Sequence, residues 1–303
     1  MTSVFLRKTR CDVSTNTEIE ALKNSIVTSM FVDPGDENYV MARIAYHGGL
    51  YQDFFWNAAQ ATEKYLKASL LLNGETLIKN NGHNKFGHNL ERLFRKVESY
   101  AGEFFPDTLT RPVELGDLHW RSETPQAFVA RLNAAGDPSS RYNVHGYTKR
   151  WEDLCHLDQF LWAARRVAFR LDHVIVPERM RSNPDIPQTI ADQLRRTLTF
   201  SPRSVTSRLA KLTGPRSRVE LRDAFFKGNF LFAPADYDHG TIFHGSSASN
   251  PVLYRRILAY VPEEGDVAPN ATIAELADWA ASNIFLGEAI ADQLRDAAER
   301  LRP

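Results

Sequence analysis

The segment of the chain best suited to chemistry lies near its middle and runs from Arg141 to Tyr147. The guanidinium of Arg141 can bind two non-bridging oxygens of one phosphate, and His145 can move protons near neutral pH. The pair therefore favours metal-independent RNA cleavage, in which the neighbouring 2′-hydroxyl attacks phosphorus. Tyr142 and Tyr147 are candidate substrate-binding neighbours. In the alternative interpretation Arg141 bridges helices and His145 is an exposed loop residue.

Two other groups of side chains are candidates for holding a phosphate. Lys67 lies on a predicted helix and His88 opens the next one. The family resemblance described below implies that both could face a nucleotide. The alternative is that Lys67 belongs to a solvated polar strip with Glu63 and Lys64, and that His88 packs locally.

A basic run forms the third candidate. Residues 195 to 218 contain seven Lys or Arg residues and no acidic residue, which is typical of a phosphate-backbone patch. Its candidate binding residues are Arg203, Arg208 and Lys211. In the alternative interpretation the run packs against the C-terminal helices, because the chain from Gly228 onward carries five basic and eleven acidic residues.

The elements that position these residues are predicted to be helices. From Phe54 to Leu72 apolar residues form two stripes at three- and four-residue spacing, and Gly74 follows as a stop. A helix that is apolar on two sides is buried on two sides, so we expect it at the centre of a bundle. The neighbouring helices are predicted over residues 37–47, 88–100 and 151–173. A shorter helix over residues 17–30 is expected to end at Pro34, and Asp36 to cap the next.

The central helix and its neighbours resemble the HEPN domain family. The resemblance rests on Gln60, Ala61, Glu63, Lys64, Lys67 and Ala68, followed by His88, Asn89 and Leu90, and on Met41-Ala42-Arg43 before and Ser140-Arg141-Tyr142 after them. It covers residues 36 to 173, about half of the chain. It implies an all-α protein, with a HEPN-like up-and-down helical bundle followed by a mostly helical C-terminal domain of unknown type.

The resemblance also implies two functions. Ribonucleases of the HEPN family carry an Arg, then four to six residues, then a His, and act as dimers that place two such motifs in one cleft. Here three residues separate Arg141 from His145, whereas Arg166 and His173 have a gap of six but lie late in the last helix. The chain is thus interpreted as a metal-independent endoribonuclease of the toxin or phage-defence type, with Arg141 and His145 catalytic. The alternative is a non-catalytic HEPN module for nucleotide or nucleic-acid binding or for dimerisation.

Composition narrows the remaining choices. The formal net charge is zero and the two cysteines, Cys11 and Cys155, offer neither a disulfide framework nor metal-ligand spacing. The N-terminus lacks the apolar core of a signal peptide, and no run approaches the roughly 20 apolar residues of a membrane span. We therefore expect a cytoplasmic protein without cofactor, metal or membrane contact. Its expected partners are a second copy in a homodimer, RNA or a nucleotide, and a regulatory protein. The predicted divisions are an N-terminal extension (1–35), a HEPN-like domain (36–175) and a helical domain (186–303).

Overall fold

The computed structural model shows a helical protein, as predicted. It describes residues 20–79, 85–116, 118–138, 146–175, 186–196, 207–240, 245–249, 251–261, 265, 268–283 and 288–303. The chain forms two compact units. The first unit contains Met1–Ala134 and Trp151–His244, and the second contains Ala135–Arg150 and Gly245–Pro303. Within the described ranges, no helix is long and apolar enough to cross a membrane.

Three helices of the first unit pack on one central helix. Residues 20–27 are helical and lead through a π-helical stretch, Thr28–Val32, into α1. The helices are α1 (Asp33–His47), α2 (Tyr51–Leu72), α3 (Leu90–Ala101), α4 (Pro125–Ala135), α5 (Asp153–Arg166), α6 (Ile190–Arg196), α7 (Ser207–Thr213) and α8 (Val219–Phe226). Helix α2 packs against α1, α3 and α5, which confirms its predicted central place.

The burial of α2 follows its two apolar stripes but includes charged residues that were predicted to be solvated. Phe54, Tyr65 and Leu66 lie in the core as expected. The predicted polar strip is wrong for Glu63 and Lys67, which are only 7% and 9% exposed. These two side chains form an ion pair one helical turn apart, and that pairing allows both to be buried.

The predicted break at Pro34 is also wrong, because the helix continues through it. Pro34 lies in the first turn of α1, where a missing N–H costs little. Asp36 does not cap a helix. It is buried and accepts hydrogen bonds from the Tyr65 hydroxyl at 2.6 Å and from Arg165 Nε at 2.6 Å. Gly35 leaves room for this arrangement, since a Cβ there would lie 2.7 Å from the Tyr65 ring.

A second buried network ties the chain beyond α5 to the bundle. Arg43, with no exposed surface, forms an ion pair with Asp158 and donates from Nε to the Ala224 carbonyl at 2.9 Å. It also donates to the Lys227 carbonyl. The Tyr39 hydroxyl donates to Asp158 Oδ1 at 2.5 Å. Arg43 thus satisfies two carbonyls at the end of α8, which the helix cannot satisfy itself, and fixes that helix onto α1 and α5.

The second unit is built on a pair of alanine-rich helices. Its elements are β1 (Tyr147–Lys149), β2 (Ser247–Ser249), α9 (Val252–Arg256), a 3₁₀ turn (Leu258–Tyr260), α10 (Ala271–Asn283) and α11 (Glu288–Leu301). Strand β1 pairs with β2 in antiparallel register, with Tyr147 opposite Ser249. Helices α10 and α11 pack around Leu294 and Ile257, and small residues such as Ala277 and Ala298 allow close approach. The predicted domain limits stay a prediction, because residues 176–185 lie outside the described ranges.

The Arg43 network predicts a large loss of stability when its cation is removed. Arg43→Met would leave the Asp158 carboxylate buried without its positive partner, so we expect the free energy of unfolding to fall by about 3–5 kcal/mol in urea titrations. The double variant Arg43→Met/Asp158→Asn should recover part of this loss, since no charge then remains buried. Lys23→Ala, which breaks an exposed ion pair with Glu20, is the control and should cost under about 1 kcal/mol. Equal losses in Arg43→Met and Lys23→Ala would contradict the assignment.

Candidate functional site

The predicted catalytic segment falls outside the part of the chain that the structure describes. Arg141, Tyr142 and His145 belong to residues 139–145, and Arg203 belongs to residues 197–206, neither of which is described. Tyr147 is described and lies on β1 in the second unit. The catalytic assignment of Arg141 and His145 therefore stays a prediction.

The structure brings Lys67 and His88 together around one carboxylate. Glu63 contacts the Lys67 ammonium, and His88 Nδ1 lies 3.0 Å from Glu63 Oε2. The His88 side chain is 67% exposed, whereas Lys67 is buried. Because Glu63 already neutralises the Lys67 charge, the site around Lys67 and His88 has little net attraction for a phosphate. The interpretation of Lys67 as an exposed, solvated lysine is wrong as well.

Two of the described residues of the basic run, Arg195 and Arg208, form ion pairs within the first unit. The Arg195 guanidinium lies 2.8 Å from Glu103 Oε1 and 2.9 Å from Asp192 Oδ1. Arg208 is paired with Glu37 at the start of α1. Lys211 is exposed. Part of the run's charge is thus neutralised locally, which weakens the predicted nucleic-acid patch but leaves Lys211 available.

A cavity of about 340 Å³ with aromatic walls lies in the first unit. It is lined by Tyr46 and His47 at the end of α1, Gly48-Gly49, Tyr51 at the start of α2, Trp151, Leu154 and Cys155 around the start of α5, and Lys227, Gly228 and Phe230 after α8. The Tyr46 hydroxyl donates to the Trp151 carbonyl at 2.9 Å, which holds the ends of α1 and α5 together. We call this the aromatic cavity.

Two polar side chains of the aromatic cavity have defined chemistry. His47 Nε2 lies 3.2 Å from the Lys227 carbonyl, so Nε2 carries the proton and Nδ1 is left as an acceptor. Desolvation, together with the positive charges of Arg43 and Lys227, lowers the pKa of His47 to about 4. His47 is thus neutral at pH 7. The positive charge in the cavity wall comes from Lys227.

None of these cavity residues was predicted to be functional from the sequence. Tyr46, His47 and Tyr51 flank the Gly48-Gly49 corner, and this local concentration of aromatic residues was visible. Their partners Trp151 and Lys227 follow 100 to 180 residues later. No local pattern indicates that residues so distant in the chain share one cavity.

A buried trio elsewhere in the first unit has the residue types of a metal site. The ligand atoms of Glu123, Asp153 and His156 lie within 4.8 Å of one another. However, the Arg131 guanidinium lies between the carboxylates, in ion pairs with Glu123 and with Asp153. Burial alone would raise the pKa of Glu123, but hydrogen bonds with His156 and Arg131 lower it to about 2. Arg131 already supplies the cation that this cluster needs.

Comparison with known proteins supports the resemblance on which the fold was predicted. The family model of the HEPN domain matches residues 30–135. These residues form a HEPN domain. The match contains α1 to α4, and the rest of the chain, including α5 and α8, has no family match. No curated protein and no solved structure is significantly similar to the chain.

Sequence reasoning missed one pair that has the Arg–His spacing of HEPN ribonucleases. Five residues separate Arg150 from His156. In the structure His156 has no exposed surface. Its Nδ1 lies 2.8 Å from Glu123 Oε1, and its ring packs against Trp120 at 4.8 Å. His156 is thus a core residue that a phosphate cannot reach in this conformation.

The environment of His47 predicts an unusual titration. The NMR signal of its Cε1–H, assigned by its loss in His47→Gln, should titrate with a midpoint near pH 4 instead of the ordinary 6.5. Because the folded chain favours the neutral ring, the contribution of His47 to stability is complete above pH 6.5. It declines as the pH falls towards 4, since the unfolded chain takes up the proton first. A midpoint near 6.5 would show that the ring is solvated and unaffected by Arg43 and Lys227.

Proposed function

We propose that the first unit, with its HEPN domain, is a binding module for a nucleotide or for single-stranded nucleic acid. The observation that supports this proposal is the aromatic cavity. Stacking of a base on an aromatic side chain contributes about 1–3 kcal/mol per base and tolerates any sequence. Tyr46, Tyr51, Trp151 and Phe230 offer such surfaces on the walls of one cavity. A flat base is the part of the ligand that these walls fit.

The polar groups of the cavity complement the rest of a nucleotide. The ammonium of Lys227 can bind a phosphate as a point charge. His47, being neutral, adds an acceptor at Nδ1 for a base amino group or a ribose hydroxyl. The described lining of this cavity contains no Arg, and the pKa of its histidine, His47, is about 4. The proposed role of the cavity is therefore binding and not cleavage.

Substitution of Trp151 tests the proposal. In isothermal titration with adenosine monophosphate, Trp151→Ala should bind roughly 5- to 150-fold more weakly than the unmodified protein, because it lacks one stacking surface. Trp279→Ala is the matched control, since Trp279 is 55% exposed in the second unit and lines no part of the cavity. Lys227→Gln should weaken binding of the monophosphate but not of adenosine. The proposal would be contradicted if the unmodified protein did not bind at millimolar ligand, or if both Trp variants lost the same affinity for adenosine monophosphate.

A metal-independent ribonuclease is the second candidate function. The HEPN match and the residue types of Arg141 and His145 favour it. Arg141 would stabilise charge that builds on the phosphoryl oxygens, and His145 would act as acid or base. Toxin or phage-defence roles, with a regulatory partner protein, belong to this candidate. Arg203 and Lys211 would then hold the RNA backbone, with less help from Arg208, which is paired with Glu37.

Cleavage of total RNA in the presence of a chelator tests the ribonuclease candidate. The products should end in 2′,3′-cyclic phosphates, and His145→Ala should cut roughly a hundred- to ten-thousandfold more slowly. His119→Ala changes another histidine that is exposed in the first unit and should cleave normally. The candidate fails if the unmodified protein leaves RNA intact, or if the His145→Ala and unmodified proteins cleave equally.

A homodimer is part of both proposals. In the sequence, the last helix of the predicted bundle carries Trp151, Phe160 and Trp162 besides its core face, which predicts apolar surface for a second copy. In the structure Phe160 is fully buried in the core of the first unit. The exposed apolar side chains of the first unit include Leu22, Ile26 and Met30, at 58%, 58% and 61% exposure. They recur every four residues and so form one face of a helix, which is a suitable surface for a second copy.

A further inference from the structure

A second cavity adjoins the aromatic cavity. Its volume is about 250 Å³, and the two share three lining residues, Cys155, Gly228 and Phe230. Its other walls come from Thr110 and the segment 112–114, from Asp158 and Gln159 of α5, and from Leu231. The two cavities therefore lie side by side in the first unit, separated by Cys155 from α5 and by Phe230 from the segment that follows α8.

The partition between the cavities is held in place by hydrogen bonding and ring packing. Gly228 adopts a positive φ of 66°, a conformation that residues with a Cβ rarely adopt. Its N–H donates to His239 Nδ1 at 3.1 Å. The His239 ring in turn lies 4.7 Å from the ring of Phe230. Phe230 is thus positioned as an aromatic surface between the two cavities.

The two cavities differ in charge. The aromatic cavity has Lys227 in its wall, whereas the described lining of the second cavity contains two carboxylates, Glu114 and Asp158, and no Lys or Arg. Asp158 is already paired with Arg43. Glu114, which is exposed, is the carboxylate available to a ligand. A phosphate is disfavoured there, but a base with an exocyclic amino group can donate to Glu114.

We propose that the two cavities bind two consecutive nucleotides of a dinucleotide or single strand, one base on each side of Phe230. This inference rests on the proposed nucleotide-binding function and adds its substrate class. One base stacks in the aromatic cavity, where its phosphate lies near Lys227. The second base enters the adjoining cavity and donates its amino group to Glu114. Adenine, cytosine and guanine have such a group and uracil lacks it, so the second position selects against uracil.

Titration calorimetry with short ligands tests this inference on the full chain. The dinucleotide ApA should bind roughly 5- to 150-fold more tightly than adenosine monophosphate, which is the range for one added stacked base. ApA should also bind more tightly than UpU. Leu231→Trp, which fills the second cavity, should bring the ratio of ApA to monophosphate affinity close to one. Glu114→Ala should reduce the preference for ApA over UpU, whereas Glu91→Ala, a change at an exposed position on α3, should keep it.

The outcomes separate this inference from the function on which it rests. If adenosine monophosphate does not bind, the proposed function fails. If the monophosphate binds and ApA is no tighter, or if Leu231→Trp leaves the affinity ratio unchanged, the two-base inference is overturned while the proposed function stands. An unchanged ApA preference in Glu114→Ala overturns the amino-group assignment. The tetranucleotide ApApApA distinguishes the ligand's source, since a cleft for a strand accepts it as well as ApA and a site for free dinucleotide does not.

Discussion

The buried guanidinium of Arg43 is the interaction on which the first unit depends. A charge without solvent must have a counter-charge, and each N–H needs an acceptor. Asp158 of α5 supplies the counter-charge, and the carbonyls of Ala224 and Lys227 at the end of α8 supply acceptors. Residues that lie about 180 positions apart are thereby required to meet. The HEPN match ends at residue 135, yet the structure around α1 is complete only with the segment that follows α8.

This requirement also explains where the cavities lie. The Lys227 carbonyl accepts from Arg43 and lies 3.2 Å from His47 Nε2, and the next residues, Gly228 and Phe230, line both cavities. The segment is held by the Lys227 carbonyl and by the buried side chain of Asn229, which donates to the Tyr39 hydroxyl, while Phe230 lines both cavities. A ligand that contacts Lys227 or Phe230 thus contacts the same stretch that satisfies Arg43. We therefore expect ligand binding to stabilise the folded conformation of this segment, because both the ligand and Arg43 favour the same conformation.

Much of the helical fold could be predicted from the sequence, because the apolar spacing of α2 is a local pattern and the bundle follows from it. The errors fall on buried polar residues. Asp36, Glu63 and Lys67 have the residue types of a solvated face, but they are buried because Asp36 pairs with Arg165 and Glu63 pairs with Lys67. The cavities could not be predicted at all, since their walls combine residues near positions 47, 112, 155 and 230. Such contacts depend on tertiary structure and produce no periodic pattern in the sequence.

The same geometry separates binding from catalysis. Cleavage by the 2′-hydroxyl route needs a group that changes protonation near neutral pH and reaches the phosphate. In the aromatic cavity His47 holds its proton on Nε2 towards the Lys227 carbonyl and stays neutral, so a phosphate bound at Lys227 would have no neighbouring histidine that titrates near pH 7. His156 has a HEPN-like spacing from Arg150 but lies in the core beside Glu123. The ribonuclease candidate thus rests on Arg141 and His145, which lie outside the described ranges, and not on the histidines of the aromatic cavity or the core.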